Sequence, residues 1–279
     1  MQKVNIVRER IAKGRPSFGP FVFSGSPTVV ETFGVGPFHF VLFDTEHTPY
    51  ASFETVAGLI RAADAVGLIS FVRVWENNPI LISKVIELGA LGVVVPHVST
   101  REDALRAVEA SRFAPRGTRG HCPIVREFDF GLTLDSWDYG KLSGVPESIA
   151  WDDREVLVMG LVEEKRAVDN LDAILETELD GVFVGTNDLS FTLGIAEAAG
   201  QMFHPAVLRL RDEAVRRCKE HGKPAMCSIS SFMENGISME AAVRRWVPEG
   251  MLVYHVGVDL NFIRARCAQI AQQIKAFAD

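Results

Sequence analysis

Short apolar runs recur along the chain and alternate with segments of helical periodicity. Runs rich in Val, Ile and Phe are typical of parallel strands that are buried on both faces. Between most of these runs, apolar residues recur every three or four positions, as they do along the buried side of a helix. The predicted strands cover residues 18–25, 38–44, 68–74, 91–97, 155–163, 180–186, 223–229 and 251–257.

This alternation predicts a parallel sheet built from right-handed strand–helix–strand units. Eight strands in 279 residues favour a closed (β/α)8 TIM barrel, an α/β fold, with residues 1–279 as a single domain. An open dinucleotide-binding sheet would carry Gly-x-Gly-x-x-Gly after its first strand, and Phe-Ser-Gly-Ser-Pro-Thr stands there instead. The predicted helices cover residues 52–67, 78–90, 167–179, 204–222 and 260–278.

One segment, residues 114–153, interrupts the alternation and is rich in Gly, Pro, Asp and aromatic residues. A long loop without regular structure in a compact domain usually has a function. We therefore expect a loop on the active-site side of the barrel that contacts the substrate or a neighbouring subunit. The alternative is a surface excursion that covers one end of the barrel.

Composition and charge narrow the classes of protein. The 29 basic and 36 acidic residues give a net charge of −7, which argues against nucleic acid or an anionic membrane as the main partner. The four cysteines are scattered without a zinc-binding or disulfide-framework pattern. The first residues lack a secretory apolar stretch, and no apolar run approaches the ~18 residues of a membrane span. The sequence thus predicts a cytoplasmic protein with reduced thiols.

Polar and charged side chains end most of the predicted strands. In a (β/α)8 barrel the chemistry takes place at the carboxyl ends of the strands, where these side chains would meet. They are Asp44, Glu46 and His47 after the second strand, Arg73 in the third, His97 after the fourth, Glu163 and Glu164 after the fifth, Thr186, Asn187 and Asp188 after the sixth, and Asp259 after the eighth.

Two of these carboxylates, Glu163 and Asp188, come from neighbouring strands and would repel each other unless a cation lay between them. Two carboxylate oxygens, with water and substrate oxygens, suit Mg²⁺ or Mn²⁺. The alternative is that Glu163 pairs with a basic side chain and that Asp188 caps the helix after it.

Arg73 and His47 are candidate catalytic residues. The guanidinium of Arg73 follows an apolar stretch and keeps its charge, so it needs an anion, either from a substrate or from Asp44 or Glu46. His47 lies three residues after Asp44, and an Asp that orients a His is a common general-base arrangement. The alternative for His47 is a surface or capping role. Among the lysines only Lys165 lies near a strand end, which leaves an imine mechanism without a suitable residue.

Several motifs, in order along nearly the whole chain, resemble those of the metal-dependent (class II) pyruvate aldolases of the phosphoenolpyruvate/pyruvate barrel superfamily. Members include 4-hydroxy-2-oxoheptanedioate aldolase and 2-keto-3-deoxy sugar-acid aldolases. Any one motif alone would be weak, and their common order makes the resemblance specific. The motifs are AKGRPSFGPF, VLFDTEHTPY, FVRVWENNP, ALGVVVPHV, APRGTRG, LVEEKRAVDNL, DGVFVGTNDLS and YHVGVDLNFIRA.

The resemblance implies a role for each matching residue. The implied metal ligands are Glu163 and Asp188, holding Mg²⁺, Mn²⁺ or Co²⁺, and Arg73 would bind the keto oxygen and stabilise an enolate. His47 would be the acid/base residue with Asp44 as its partner. The implied carboxylate site is formed by the backbone N–H groups of Gly185, Thr186 and Asn187. The family resemblance also implies a terminal helix exchanged between subunits, in a homo-oligomer that is a hexamer built from dimers.

The chain departs from the family pattern around the substrate. Leu161 stands where relatives have a glutamine, so the polar contact of that glutamine is missing at this substrate-binding position. The family's Gly-Pro-Ala-Asp is Gly-Thr-Asn-Asp at 185–188, and His97 and His121 are additional histidines. We interpret these changes as altered specificity with preserved enolate chemistry.

The resulting hypothesis is a divalent-metal-dependent aldolase, a carbon–carbon lyase that reversibly cleaves a 4-hydroxy-2-oxo acid into pyruvate and an aldehyde. One alternative keeps the enolate and changes the bond that breaks, as in a decarboxylase of oxaloacetate-like acids or a lyase of acyl-CoA substrates. Another is a barrel that binds a metabolite without catalysis. The sequence identifies neither the aldehyde nor the metal.

Overall fold

Parallel strands close into a barrel, as the apolar runs predicted. The structure is a computed structural model that describes residues 3–50, 52–132, 136–138, 141–233, 236–275 and 277. Around the barrel the eight strands follow the order β1–β8–β7–β6–β5–β4–β3–β2, so each strand pairs with its neighbour in the chain. They are β1 (Ser17–Val22), β2 (Phe40–Asp44), β3 (Ile69–Arg73), β4 (Gly92–Val95), β5 (Leu157–Val162), β6 (Gly181–Val184), β7 (Ala225–Ser228) and β8 (Met251–Val258). The prediction of a (β/α)8 barrel is confirmed.

Helices connect the strands and surround the barrel. Proline or a polar capping residue begins several of them, and Thr100 with Asp103 forms a complete capping box. The helices are α1 (Ile6–Ala12), α2 (Pro27–Thr32), α3 (Phe53–Ala65), α4 (Pro79–Glu87), α5 (Arg101–Ser111), α6 (Val145–Glu155), α7 (Lys165–Asp169), α8 (Leu171–Leu175), α9 (Thr186–Thr192), α10 (Pro205–Glu220), α11 (Met239–Trp246) and α12 (Asp259–Lys275). Within the described residues, none of these helices has the length and apolarity that crossing a membrane requires.

The barrel interior is packed below the site by aromatic rings. Phe40 and Phe71 stack with their ring centroids 5.0 Å apart. A Cβ atom at Gly92 would lie 2.1 Å from the Phe71 ring, so only glycine leaves room for this ring on the adjacent strand. Side chains two positions apart on a strand point to the same face. Arg73 therefore points to the interior of the barrel, as Phe71 does. The packed aromatic layer therefore supports Arg73, which lies above it at the carboxyl end of β3.

The segment 114–153 differs from the prediction in both structure and position. Its described part contains two short antiparallel strands, Ser136–Asp138 and Lys141–Ser143, and most of α6, so it is not a structureless loop. It follows α5 and precedes β5, which places it at the amino-terminal end of the barrel. Arg126 donates a hydrogen bond of 2.7 Å to Asp64, which lies in the last turn before β3.

The same end of the barrel provides the other contacts of this segment. Trp151 donates its indole N–H to the carbonyl of Lys3 at 3.0 Å, and Arg116 pairs with Glu178 just before β6. The expectation of a loop on the active-site side was therefore wrong for the described residues. A connection from a helix to the next strand always returns to the amino-terminal ends of the strands. The alternative, a surface segment that covers one end of the barrel, agrees better with these contacts.

The terminal helix α12 extends from the barrel with little contact to it. Its residues after Asp259 are exposed as far as the structure describes them. Ile263, Ile270 and Ile274 are between 40% and 60% exposed and recur at a helical spacing. This chain on its own thus leaves an apolar stripe in water.

Candidate active site

The carboxyl ends of β2 to β6 bring the candidate side chains together around one cavity. The cavity has a volume of about 620 Å³ and is bordered by His47, Arg73, Leu161 and residues 185–188. Asp44 and Glu163 are buried next to it. The structure therefore places the candidate catalytic, substrate and metal residues in or beside one opening at the carboxyl end of the barrel. Their assignment to catalytic, substrate or metal roles stays a prediction. His121, expected near the substrate, instead packs against Phe113 and Phe128, away from this cavity.

Arg73 lies at the centre of this arrangement. Its Nε donates a hydrogen bond of 2.7 Å to Asp44 Oδ1 and lies 3.1 Å from Glu46 Oε2. The guanidinium carbon is 5.0 Å from the ring centroid of Phe21, a favourable cation–π distance. Burial lowers the pKa of Arg73, but the hydrogen bond and charge of Asp44 outweigh it, so the pKa is raised overall. Arg73 is a fixed and permanently charged group at the cavity wall.

Asp44 organises the loop that carries His47. Its carboxylate accepts hydrogen bonds from the backbone N–H groups of Glu46, at 3.1 Å, and His47, at 3.2 Å. The imidazole itself is 58% exposed, and its Nε2 lies 3.7 Å from Glu46 Oε2. The structure thus connects Asp44 to the backbone of His47 and to Arg73, whereas the nearest carboxylate to the ring is that of Glu46.

Glu163 follows β5, which is separated from β3 by β4 alone. Its Oε1 accepts a hydrogen bond of 2.9 Å from the backbone N–H of His97 and lies 3.1 Å from His97 Nδ1. Burial raises the pKa of Glu163 to about 7; His97 opposes this, and Glu46 and Asp188 reinforce it. Burial also raises the pKa of Glu46. Burial is thus the main reason why both carboxyl groups hold their protons more tightly than usual.

The chain after β6 starts helix α9 at the cavity wall. The N–H of Gly185 already donates to the carbonyl of Val162 at 2.9 Å, so it is not free to hold a substrate carboxylate. Thr186 and Asn187 are the first residues of α9, whose N–H groups have no partner within the helix. A Cβ at Gly185 would lie 2.9 Å from the Cβ of Glu163, so glycine here lets the two strand ends approach.

Asp188 borders the cavity in the first turn of α9, where a carboxylate interacts favourably with the helix dipole. The alternative that it caps this helix is not observed, because no side chain caps α9. Its negative charge helps to raise the pKa of Glu163. Asp188 is not one of the three side chains, Glu46, His97 and Glu163, whose possible ligand atoms lie close together.

Side chains that could hold a metal converge at this opening. Glu46, His97 and Glu163 each offer one ligand atom, and these atoms all lie within 4.8 Å of one another. Glu46 Oε2 is sealed from solvent and has no hydrogen-bond partner among the described residues, because the Nε–H of Arg73 is directed to Asp44. Carboxylate and imidazole donors this close together fit a divalent cation.

The sequence reasoning missed His255, which lies within β8. Its ring borders the cavity between Phe21 and Phe183, at centroid distances of 5.5 and 5.7 Å. Burial, and then the charge of Arg73, lower the pKa of His255 to about 4, so the ring is neutral near pH 7. Its Nδ1 is buried without a partner among the described residues. The available signal was a histidine inside the apolar run MLVYHVG.

Comparison with known proteins agrees with the fold. The model of the family described as HpcH/HpaI aldolase/citrate lyase matches residues 17–265. The chain belongs to this family. Membership makes it a carbon–carbon lyase that acts on small molecules, and it confirms the resemblance to the pyruvate aldolases. The matched region contains the strand ends that carry Asp44, Arg73, Glu163 and Asp188.

Relatives of the family have high coverage and modest identity. The 5-keto-4-deoxy-D-glucarate aldolase of Citrobacter koseri is 30% identical over 97% of this chain and 96% of its own length. The crystal structure of citrate synthase SbnG has a TM-score of 0.81 at 27% identity, covering 98% of each chain. A family member from Burkholderia cenocepacia J2315 has a TM-score of 0.81 at 26% identity, over 98% of this chain and 100% of its own. The relatives thus include both an aldolase and a synthase on one barrel.

Proposed function

We propose that this protein is a divalent-metal-dependent aldolase that reversibly cleaves a 4-hydroxy-2-oxo acid into pyruvate and an aldehyde. The observation that carries the proposal is that Arg73, which borders the cavity, and Glu163 lie at the carboxyl ends of β3 and β5, close enough for the charge of Glu163 to help raise the pKa of Arg73. A buried cation and a carboxylate fit for a metal then face the same substrate. Family membership supports a lyase, and an aldolase among the relatives supports this reaction type.

Arg73 stabilises the negative charge that develops on the 2-oxo oxygen when the C3–C4 bond breaks. Its guanidinium is held by Asp44 and by the ring of Phe21, so it needs no reorganisation as the charge forms. A fixed donor of this kind contributes about 3–4 kcal/mol to the transition state when it acts on an oxyanion.

His47 moves the proton that the cleavage requires. As the bond breaks, the C4 hydroxyl becomes an aldehyde and must lose its proton. Because Nε2 of His47 is the nitrogen nearest Glu46, Nδ1 is left to accept that proton. The Glu46 carboxylate then stabilises the imidazolium. Proton delivery to C3 converts the enolate to pyruvate, and the reverse sequence gives aldol addition.

The family resemblance assigns Glu163 and Asp188 to the metal, and the crowded carboxylates fit such an ion. When bound, a divalent cation would supply Lewis-acid stabilisation of charge on the 2-oxo acid. The free N–H groups of Thr186 and Asn187 are proposed to hold the substrate carboxylate. Leu161, buried beside them, gives this part of the wall an apolar surface.

A coupled assay tests the function. Purified protein is incubated with a panel of 4-hydroxy-2-oxo acids, and pyruvate is followed through lactate dehydrogenase. We expect release of pyruvate and aldehyde in equal amounts, loss of activity after EDTA treatment, and recovery with Mg²⁺, Mn²⁺ or Co²⁺. Equal pyruvate release with and without EDTA would refute the metal requirement.

The same assay separates the alternative reactions. Pyruvate from oxaloacetate without any aldehyde, together with no cleavage of the hydroxy acids, would identify a decarboxylase. Turnover of acyl-CoA substrates alone would identify an acyl-CoA lyase. If no substrate is converted and Glu163→Gln leaves ligand binding unchanged, the barrel is a metabolite binder and the proposal is wrong.

We further propose that α12 packs on a second copy of this chain, as the family resemblance implies for a hexamer of exchanged dimers. The exposed stripe of Ile263, Ile270 and Ile274 supports this arrangement. Light scattering after size-exclusion chromatography should give an oligomer for the wild type and a smaller species for the Ile270→Asp/Ile274→Asp variant. An unchanged mass would contradict the exchange.

A further inference from the structure

His97 has a backbone conformation that is unusual for a residue with a side chain. It follows β4 after Pro96 and has φ of 54°, in the left-handed region. Such a conformation is strained for a residue with a Cβ atom and persists where the surrounding structure demands it. In His97 this conformation directs the backbone N–H to Glu163 Oε1 and places the imidazole next to the same carboxylate.

The ring of His97 lies between three carboxylates from two strand ends, those of β5 and β2. Nδ1 is 3.1 Å from Glu163 Oε1 and 3.4 Å from Glu164 Oε1, and Nε2 is 3.6 Å from Glu46 Oε1. The side chain is 63% exposed, so the ring can be reached by a dissolved ion. One nitrogen is therefore close to Glu163, and the other faces Glu46.

We propose that His97 is a nitrogen ligand of the cation site, together with Glu163 and Glu46. This inference rests on the proposed metal-dependent function and changes the ligand set from oxygen alone to mixed nitrogen and oxygen. Imidazole favours borderline transition ions, whereas Mg²⁺ gains little from it. The site is thus selective for Co²⁺ and similar ions over Mg²⁺.

A purely hydrogen-bonded His97 explains the contacts less well. A neutral imidazole has a single N–H, and the 3.6 Å separation from Glu46 is too long for a hydrogen bond. A cation shared by these side chains balances both carboxylates at once.

The experiment measures metal binding directly, without turnover. Dissociation constants for Co²⁺ and Mg²⁺ are determined by calorimetry for the wild type and for His97→Gly, since glycine accepts the left-handed backbone without strain. Glu163→Gln is the positive control, and His221→Ala, at the end of α10, is the matched control for a histidine outside the cavity. Pulsed electron paramagnetic resonance on bound Mn²⁺ reports a directly coordinated ¹⁴N.

We expect His97→Gly to weaken Co²⁺ at least about 10-fold, to change Mg²⁺ much less, and to lose the nitrogen coupling. His221→Ala should bind both ions as the wild type does. If His97→Gly melts below the wild type, His97→Asn repeats the test, because asparagine also tolerates this backbone.

Two results would overturn the inference, and they differ in their meaning. If His97→Gly keeps Co²⁺ affinity and nitrogen coupling while Glu163→Gln loses binding, His97 is not a ligand and the proposed function stands. If Glu163→Gln also keeps full affinity, the cation site is elsewhere, and the metal-dependent function fails with it.

Discussion

The neutral His255 ring in the barrel interior predicts a specific loss of stability in acid. In the folded protein, burial and Arg73 lower its pKa to about 4, whereas a histidine in the unfolded chain titrates near ~6.5. Stability from the neutral ring is therefore fully present above ~6.5 and is lost as the pH falls toward the folded value. The change to test is His255→Phe, which keeps an aromatic ring between Phe21 and Phe183 and removes the titrating group.

The size of the effect follows from the two pKa values. Between pH 8 and pH 5 the wild type should lose about 2 kcal/mol more than His255→Phe, and about 3 kcal/mol over the whole titration. These are upper values, because the ring borders a cavity that admits water. For a chain of 279 residues, 2 kcal/mol corresponds to a shift of roughly 4 °C in melting temperature.

The assay is thermal and urea unfolding at pH 8 and pH 5, at one fixed protein concentration because the protein is proposed to be an oligomer. Val256→Ala, on the same strand, is the control: it alters packing without removing a titrating group, so its deficit should be similar at both pH values. Parallel pH profiles of the wild type and His255→Phe would show that His255 is not held neutral, and the reasoning would be refuted.

Three further changes test other parts of the structure. Arg73→Gln should lower kcat about 100- to 1000-fold, and a kcat near the wild-type value would remove the oxyanion role of Arg73. Gly185→Ala should push Glu163 aside and weaken Co²⁺ binding in calorimetry with little change in melting temperature; unchanged binding would show that the strand ends can separate. Burial, and then Asp152, raise the pKa of Glu127 well above its usual value, so stability from its protonated form is lost as the pH rises. Glu127→Gln should therefore lose less melting temperature than the wild type between pH 5 and pH 8, and equal losses would contradict this.

The barrel could be predicted because its strands are buried on both faces. β2 reads as a nearly continuous apolar run, and its last residue, Asp44, is marked by the change to polar chemistry. The rule that strand ends meet at one opening then placed Arg73 and Glu163 together. The sequence pattern could not predict which side chain each imidazole ring or carboxylate contacts. His47 is close to Asp44 in sequence, yet its imidazole lies nearer Glu46, because Asp44 is occupied by Arg73 and by backbone N–H groups.

The missed elements have physical reasons of the same kind. α5 (Arg101–Ser111) is too polar to show a strong apolar stripe, although its capping box of Thr100 and Asp103 was readable. α6 (Val145–Glu155) was hidden in a Gly- and Pro-rich stretch, where Pro146 marks a helix start rather than a loop. The position of this segment followed from chain order alone, since it comes after a helix and before a strand.

Departures from ordinary packing rules are concentrated at the cavity, but they do not identify a functional site by themselves. At the amino-terminal end, Arg119 lies buried between Glu127 and Asp152, and buried polar atoms there also lack partners among the described residues. That cluster adjoins a void of only about 40 Å³, enough for about three waters. The strained His97 and the buried Glu163 instead lie close to Arg73, which borders the cavity of about 620 Å³. The two ends of the barrel thus differ in the space beside their buried charged groups, and the larger cavity, at the carboxyl end, has room for a substrate.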